Sequence, residues 1–404
     1  VDIIYLFSVD ILKGKDALPI NVIVFEEFVD WNNYKPLKLV LKNLFPILGI
    51  YVSECLAIKK ILNMKRRSFV KNSVISTAGL FITKDMFSNK KGPVYGHNEM
   101  TFRLDTTWGT LNTEKTPVND CHEMIQDSKG RIVLLTNETK NNIIIYNKSG
   151  RLIDTWGTEF PGAHGLSLQQ NGKEDFLFIT DTNKHQVYKT TMDGKILLTI
   201  DPPQDLPAYK NNNKAFVPTE TTVLPNGDFY IADGYGAQHV LHYDENGKLK
   251  NAFGGRGTKD ENLDNAHGIT VDTRTGTTTL IVTDRNKNCF KRFSLDGKLM
   301  EIIQLPGAGV CRPVIKGDYL YAAVLRSPMS VEKSGFVTIL NKENKVVSNI
   351  GGTEPIYENG KLKTMAQADK IFAHPHDVCV DDDGSIYVAQ WASGKVYPYK
   401  LTRV

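Results

Sequence analysis

Residues 163–189 read AHGLSLQQNGKEDFLFITDTNKHQVYK, and this stretch decides how the rest of the chain is interpreted. The segment DFLFITD carries apolar residues on both faces, which is typical of a strand packed between neighbouring sheets. The Asn-Gly pair before it supplies the positive φ that a tight hairpin turn needs. The stretch therefore predicts a β-hairpin with His164 at the start of its first strand.

The same order of short strands and Asp-Gly or Asn-Gly turns recurs along the chain. The copies begin at His122, His164, Pro218, His267, Cys311 (a degenerate copy) and His376. Four-stranded units of about 40–50 residues are the pattern of β-propeller blades. We therefore predict an all-β, six-bladed propeller over residues 91–404, and its blade sequences resemble NHL repeats.

The last copy lacks its fourth strand, which the N-terminal part of the propeller can supply. The candidate is MTFRLDTTWG, residues 100–109, whose TTWG echoes the DTWG at 154–157 that ends the first full blade. We expect the strand near residues 100–109 to close the ring by completing the last blade.

The first ninety residues lack this turn rhythm. Residues 64–83, MKRRSFVKNSVISTAGLFIT, resemble a twin-arginine export signal, in which an arginine pair precedes a mildly apolar stretch. A basic helix start that contains the arginine pair by chance is the alternative. We expect residues 64–90 to be the signal and linker, and residues 1–63 to be a non-native or unstructured extension, with a genuine N-terminal segment as the rival. The signal implies export to a periplasmic or extracellular location, with no stable membrane span after its removal.

Composition narrows the function classes. The 404 residues are 41% hydrophobic and carry 49 Lys+Arg against 45 Asp+Glu, a net charge of +4, so nucleic acid is a poor partner. The five cysteines form no CxxC pair, which argues against zinc-ribbon and thioredoxin functions. Spacing leaves a disulfide between Cys289 and Cys311 open. We expect a monomer.

Histidines stand at the blade starts in a shared register. His122, His164, His267 and His376 begin the first strands of their blades, and His374 lies two residues before the last of them. First strands line the channel of a propeller, so these side chains are expected to converge near one mouth. Three imidazoles at one point make a zinc site with an open fourth position. A polar channel that holds water and no metal is the alternative.

These motifs resemble the peptidyl-α-hydroxyglycine α-amidating lyase family, a six-bladed zinc propeller that releases glyoxylate. The resemblance rests on HGLS…TDTNKHQVYK, PTETTV…IADGYGAQHV, AHGITV…VTDRNKNCFKRF and HPHDVCVDDDGSIYVAQ. It implies zinc ligands at His164, His267 and His376, a catalytic tyrosine at Tyr235 and a substrate-carboxylate arginine at Arg285. It also implies a structural Ca²⁺ held by Asp377 and the Leu166 carbonyl.

The chain departs from that family in several places. Asn137 or Glu138 stands where the family has a second substrate arginine, and Gly236 replaces a cysteine after the tyrosine. His122 and His374 have no counterpart among the family ligands and are kept as additional axial candidates. Each of these residues also has a purely structural alternative. Tyr235 could belong to a simple turn at DGYG, Arg285 could form a surface pair with Asp284, and Asp377 could accept a hydrogen bond from a neighbouring blade.

The sequence thus favours an exported metal-dependent lyase. It would cleave a C–N bond of an α-hydroxylated amide, in a small molecule or at a peptide C-terminus, and release glyoxylate or a similar carbonyl product. A non-catalytic NHL-repeat propeller that binds a protein or glycan through the insertions at 201–217 and 351–371 is the alternative. A calcium-dependent hydrolase or lactonase is less favoured, because such sites need axial carboxylates and this channel offers histidines.

Overall fold

The computed structural model describes residues 5–9, 20–24, 93–172 and 174–404, in two units, Val1–Asn89 and Lys90–Val404. In the first unit, β1 (Tyr5–Val9) and β2 (Ile20–Val24) pair antiparallel. The expected export signal and linker, residues 64–90, lie outside the described residues. No helix in the described parts of the chain has the length and apolar character needed to cross a membrane.

The second unit is a six-bladed β-propeller, which confirms the fold predicted from the repeat. It opens with a hairpin of β3 (Val94–His97) and β4 (Met100–Asp105). Blade 1 contains β5 (Cys121–Gln126), β6 (Ile132–Thr136), β7 (Ile143–Tyr146) and β8 (Leu152–Trp156). Blade 2 contains β9 (Ala163–Asn171), β10 (Glu174–Asp181), β11 (Gln186–Thr191) and β12 (Ile196–Ile200). Blade 3 contains β13 (Glu220–Val223), β14 (Phe229–Ala232), β15 (His239–Tyr243) and β16 (Leu249–Gly254).

The remaining blades follow the same order. Blade 4 contains β17 (Ile269–Asp272), β18 (Thr279–Asp284), β19 (Cys289–Phe293) and β20 (Leu299–Gln304). Blade 5 contains β21 (Val314–Lys316), β22 (Tyr319–Val324), β23 (Phe336–Leu340) and β24 (Val346–Ile350). The insertion after it forms a small hairpin of β25 (Tyr357–Glu358) and β26 (Lys361–Leu362). Blade 6 contains β27 (Pro375–Val380), β28 (Ile386–Gln390) and β29 (Tyr399–Arg403). Two short 3-10 helices span Asn213–Ala215 and Arg285–Lys287.

Each blade's first strand lies against the first strands of both neighbouring blades, so these strands line a closed central channel. Apolar faces of adjacent blades pack on each other, because the middle strands are buried on both sides. β6, for example, is fully buried, whereas the outermost strand β8 is largely exposed. One such cluster joins Val133 and Leu135 of blade 1 to Leu177 and Ile179 of blade 2.

The ring closes where the sequence predicted it would. β4 pairs antiparallel with β29, with Leu104 opposite Leu401, and becomes the fourth strand of blade 6. β3 then adds a fifth strand to the same sheet. The sequence analysis missed β3, because its four residues, VYGH, carry no clear alternation.

This closure makes β4 important for stability. Phe102 is buried in the cluster that joins blades 5 and 6. We expect Phe102→Ala to lower the free energy of unfolding by about 3–5 kcal/mol, since it removes a large ring and leaves a cavity. Denaturant unfolding measures the loss. Val94→Ala in the exposed start of β3 is the control and should change stability by less than about 0.5 kcal/mol. Equal losses in the two variants would contradict a closing role for β4.

The cysteines of the propeller carry free thiols. Cys121, Cys289, Cys311 and Cys379 are all buried and unpaired, so the disulfide between Cys289 and Cys311 that spacing left open is not formed. Burial raises the pKa of each of these thiols, which keeps them protonated and unreactive near neutral pH.

Candidate metal centre

Four histidine side chains meet in the channel. The imidazole centroids of His122 and His164 lie 4.9 Å apart, and those of His122 and His376 lie 5.0 Å apart. His267 completes the set, with its centroid 4.8 Å from those of both His164 and His376. The structure therefore brings together the three histidines predicted as zinc ligands and adds His122, which was kept as an additional candidate. We call this set the histidine ring.

Irregularities in the first strands place these side chains. The pairing of β5 with β6 shifts between Cys121 and Glu123, and that of β27 with β28 shifts between Pro375 and Asp377. His122 and His376 are thus the extra residues of β-bulges. A bulge re-aims a side chain that regular alternation would direct elsewhere. The pairing of β9 with β10 shifts beside His164 as well.

Backbone carbonyls orient two of the rings. His164 Nδ1 lies 2.8 Å from the Thr219 carbonyl oxygen, and His376 Nδ1 lies 3.1 Å from that of His122. Donation of the Nδ1 proton to a carbonyl leaves Nε2 unprotonated, and metal-bound histidines usually make such a hydrogen bond through the ring nitrogen that does not bind the metal. Both ring nitrogens of His267, and Nδ1 of His122, are buried without a hydrogen-bond partner.

These observations fit a metal ion. Within the described residues, His122, His164 and His376 are the one set of His, Cys, Asp or Glu side chains whose ligand atoms all lie within 4.8 Å of each other. Burial lowers the pKa of His122 to about 3 and holds the pKa values of the other three rings well below the usual range. The imidazoles are therefore neutral, as metal ligation requires.

His374, the other additional candidate, does not join the ring. It precedes β27, and the bulge that follows breaks the two-residue alternation on which its expected direction rested. Its Nε2 lies 2.8 Å from a Glu332 carboxylate oxygen and 3.1 Å from the Lys333 backbone nitrogen. His374 thus ties down the loop that carries Glu332.

Tyr235 packs against the histidine ring at His164 and His267. Its hydroxyl oxygen is 3.1 Å from His164 Nε2, although 41% of the residue is exposed at the channel mouth. Burial of the hydroxyl raises the pKa of Tyr235, while the nearby Arg285 guanidinium acts in the opposite direction by charge and by a hydrogen bond. The Tyr235 hydroxyl therefore lies within hydrogen-bond reach of the candidate metal centre.

Arg285 is buried beside that hydroxyl. Only 2% of the residue is exposed, Nε donates to the Val310 carbonyl at 3.1 Å, and Nη2 lies 3.0 Å from the Cys311 sulfur. The surface pair of Asp284 with Arg285 is not formed, since Asp284 contacts Lys291 and Lys287 instead. Arg285 is placed to favour the charged form of Tyr235.

A groove of about 480 Å³ opens beside Tyr235. Lys214 and Arg256 line it and supply two cationic groups, and Arg256 Nη2 donates to the Gly236 carbonyl at 3.0 Å. A Cβ at Gly236 would lie 2.0 Å from an Asp233 carboxylate oxygen, so a cysteine cannot stand here without displacing the loop. This contact explains one departure from the amidating lyase pattern.

The expected calcium ligands both accept hydrogen bonds from Arg312, which was not among the predicted site residues. These ligands are Asp377 and the Leu166 carbonyl. Arg312 donates from Nε and Nη2 to the two oxygens of Asp377 at 3.0 and 2.7 Å, and from Nη1 to the Leu166 carbonyl at 3.0 Å. Asp377 also accepts the Met124 N–H of a neighbouring blade at 2.9 Å, which is the hydrogen bond expected if Asp377 has a structural role. A guanidinium and a calcium ion compete for the same oxygens, so these residues do not fit Ca²⁺ while Arg312 is in place.

Fold and site together define a six-bladed propeller with histidines converging in its channel. Residues 372–390 match the NHL repeat family. Curated relatives include peptidyl-alpha-hydroxyglycine alpha-amidating lyase 1 of Drosophila melanogaster, 26% identical over 278 residues, which cover 62% of this chain and 47% of that protein. The probable peptidyl-alpha-hydroxyglycine alpha-amidating lyase of Caenorhabditis elegans is 22% identical over 316 residues, or 76% of this chain and 80% of that protein.

The chain is therefore a distant homologue of amidating lyases that carries an NHL repeat. It spans less than half the length of the first relatives, such as 47% of the Drosophila lyase and 26% of monooxygenase B of Xenopus laevis. Among solved structures, a streptogramin B lyase aligns with a TM-score of 0.50 at 16% identity, over 74% of this chain and 97% of that chain. A gluconolactonase of Xanthomonas campestris aligns with a TM-score of 0.50 at 12% identity, over 78% and 99%. These two structures share the fold.

Proposed function

We propose that this protein is a metal-dependent lyase that cleaves the C–N bond of an α-hydroxylated amide and releases glyoxylate or a similar carbonyl product. The observation that carries the proposal is the Tyr235 hydroxyl, which lies 3.1 Å from His164 Nε2 in the histidine ring. An acid–base group within hydrogen-bond reach of a candidate metal centre is what such a reaction needs. Similarity to amidating lyases supports the same reaction class.

The proposed metal is Zn²⁺, with ligands from the histidine ring. The ligand atoms of His122, His164 and His376 lie within 4.8 Å of one another, and the ring of His267, the other proposed ligand, has its centroid 4.8 Å from those of His164 and His376. When bound, Zn²⁺ would act as a Lewis acid and lower the pKa of a substrate hydroxyl. Tyr235 takes the hydroxyl proton as general base, and the charge of Arg285 opposes the rise in the pKa of Tyr235 that burial causes. The hydroxyl-bearing carbon becomes the carbonyl carbon of the product as its bond to nitrogen breaks, and the departing amide nitrogen gains a proton.

The groove beside Tyr235 supports an anionic substrate. Arg285 is bonded to Val310 and Cys311, so we propose that the exposed cations Lys214 and Arg256 bind the substrate carboxylate instead. Both lie on the same side of the channel mouth as Tyr235. A small α-hydroxyglycine amide or a peptide ending in one matches this charge.

Two alternatives make different demands on the site. A calcium-dependent lactonase needs free axial carboxylates, whereas Asp377 here is occupied by Arg312 and no carboxylate belongs to a metal-binding set within the described residues. A non-catalytic binding propeller needs neither the histidine ring nor the hydroxyl above it. We further propose that the protein is exported by its twin-arginine segment and acts as a monomer in the periplasm or outside the cell.

A single preparation tests the proposal. We expect the purified full-length protein to carry about one zinc per chain by elemental analysis, as a three-histidine site would. It should release glyoxylate from α-hydroxyhippurate, stop when a chelator removes the metal, and recover when zinc is returned. Absence of any transition metal would overturn the metal site. Bound metal without glyoxylate release would overturn this reaction while leaving the site intact, and absence of both would favour the binding propeller.

A further inference from the structure

The six blades present two successive layers of residues to the channel. The first layer, one residue from each blade in turn, consists of His122, His164, Thr219, His267, Cys311 and His376. The next residue along each strand forms a second layer, which consists of Glu123, Gly165, Glu220, Gly268, Arg312 and Asp377. The first layer contains the histidine ring. The second holds three carboxylates and one guanidinium.

Arg312 reaches from blade 5 to residues of other blades. Its guanidinium binds Asp377 of blade 6 through two hydrogen bonds of 3.0 and 2.7 Å. It also donates to the Leu166 carbonyl of blade 2 at 3.0 Å and to the Met124 carbonyl of blade 1 at 2.9 Å. Only 8% of Arg312 is exposed. Hydrogen bonds of this kind, from a charged donor in a buried place, are among the stronger ones in proteins.

The other two carboxylates face the same guanidinium. Oxygens of Glu123 in blade 1 and Glu220 in blade 3 each lie 3.6 Å from Arg312 Nε, and both side chains are fully buried. Burial raises the pKa values of Glu123 and Glu220, while the positive charge of Arg312 acts in the opposite direction. The carboxylates of Asp377, Glu123 and Glu220 hold the pKa of Arg312 well above its usual value despite burial.

Blade 4 leaves space for the backbone of Arg312 at Gly268. A Cβ on Gly268 would lie 2.5 Å from the Arg312 Cα atom, so only glycine permits this approach of blade 5 to blade 4. Arg312 therefore contacts residues of blades 1, 2, 3 and 6, and Gly268 of blade 4 leaves the space that its backbone needs. Two of the carboxylates around Arg312 directly follow members of the histidine ring in sequence, because Glu123 follows His122 and Asp377 follows His376.

We propose that the Arg312 guanidinium is a built-in cation that joins the six blades at the channel centre and occupies the place expected for a structural calcium ion. The oxygens of Asp377, Glu123, Glu220 and the two carbonyls are hard ligands of the type Ca²⁺ prefers, and the guanidinium of Arg312 already contacts all of them. The chain consequently needs no second metal. This inference does not depend on the proposed lyase reaction, since it concerns calcium and stability.

The first test uses the wild-type protein, saturated with zinc so that the histidine ring is not in question. We expect no stoichiometric calcium after equilibration with 5 mM CaCl₂ (about a thousand times the Kd of a sensor-type site) and a Tm shift below about 1 °C. One calcium per chain with a clear rise in Tm would overturn the proposal.

The second test removes the guanidinium. Arg312→Ala should lower Tm by roughly 5–10 °C, because it leaves buried carboxylates without their partner. Calcium at the same concentration should restore at least about half of the loss and bind at about one equivalent, while magnesium, which demands a smaller octahedral cage, should restore less. If Arg312→Ala loses stability but calcium neither binds nor raises its Tm, the result would contradict a cation site at this point.

A matched control separates this effect from the loss of any buried ion pair. Arg274 is 7% exposed and pairs with Asp272 within blade 4. Arg274→Ala should also lower Tm, with no recovery in calcium. If Arg312→Ala yields no folded protein with or without calcium, Arg312→Lys decides. Folded, calcium-independent Arg312→Lys would support the assignment, since a side-chain cation then suffices. An unfolded or calcium-dependent Arg312→Lys would overturn it.

Discussion

Tyr235→Phe is expected to lower the rate of glyoxylate release by about 10²–10⁴-fold, the usual contribution of a general acid–base group. The substitution removes one oxygen atom, which lies 3.1 Å from His164 Nε2. The phenyl ring keeps its edge-to-face contacts with His164 and His267, with centroids 5.1 and 5.6 Å away, so the site should stay assembled. Metal content by elemental analysis should therefore remain at the wild-type value while kcat falls.

Tyr319→Phe is the matched control for this variant. Tyr319 lies at the start of β22 in blade 5, where its ring faces Tyr321, with centroids 6.4 Å apart. The same loss of a hydroxyl there should leave kcat within about twofold, because surface changes away from the site are near neutral. Wild-type kcat in Tyr235→Phe would remove Tyr235 from the reaction. Loss of metal in Tyr235→Phe would instead make it a structural partner of the ring.

His376→Ala and His374→Ala form a second pair with a large expected difference. His376 belongs to the histidine ring, and its Nδ1 is oriented by the His122 carbonyl at 3.1 Å. His374 is only two residues away and 4% exposed, but it bonds to Glu332 and the Lys333 backbone. We expect His376→Ala to weaken zinc binding by more than about 100-fold, beyond the effect of losing an outer partner, and to abolish glyoxylate release.

His374→Ala should keep its zinc and most of its activity. Competition with a chromophoric chelator measures zinc affinity in both variants without reference to catalysis. Equal zinc affinity in the two variants would show that the histidine ring is not the metal site. A loss confined to His374→Ala would restore His374 as the ligand and refute the direction that the bulge gives to these side chains.

The fold could be read from the sequence because its signals are local. A strand reveals itself by alternation, and an Asn-Gly or Asp-Gly turn by the φ that glycine permits. Repetition of the same units from His122 onward then counted the blades and left one strand short, which identified residues 100–109 as the closing strand, later found as β4. Recognising the blades used residues no more than one blade apart, and the closing strand followed from the one strand that the last blade lacked.

The candidate site was read only in part. The repeat aligned His164, His267 and His376 at equivalent positions of their blades, and all three lie together in the histidine ring of the structure. The same register, extended by one residue, would have revealed the layer that holds Glu123, Glu220 and Arg312. The degenerate fifth copy hid Arg312, since its blade starts with cysteine and not histidine.

The sequence by itself determined the number of blades, the closing strand and the histidines that share one position, because these follow from periodicity along the chain. The tertiary structure alone decided which side chains meet. The bulges at His122 and His376 direct those side chains into the channel, whereas His374, which precedes the second bulge, lies against Glu332 instead. Arg312 binds carbonyls 188 and 146 residues away, at Met124 and Leu166. Such contacts depend on how the closed ring brings distant strands to one axis, and no local pattern encodes that distance.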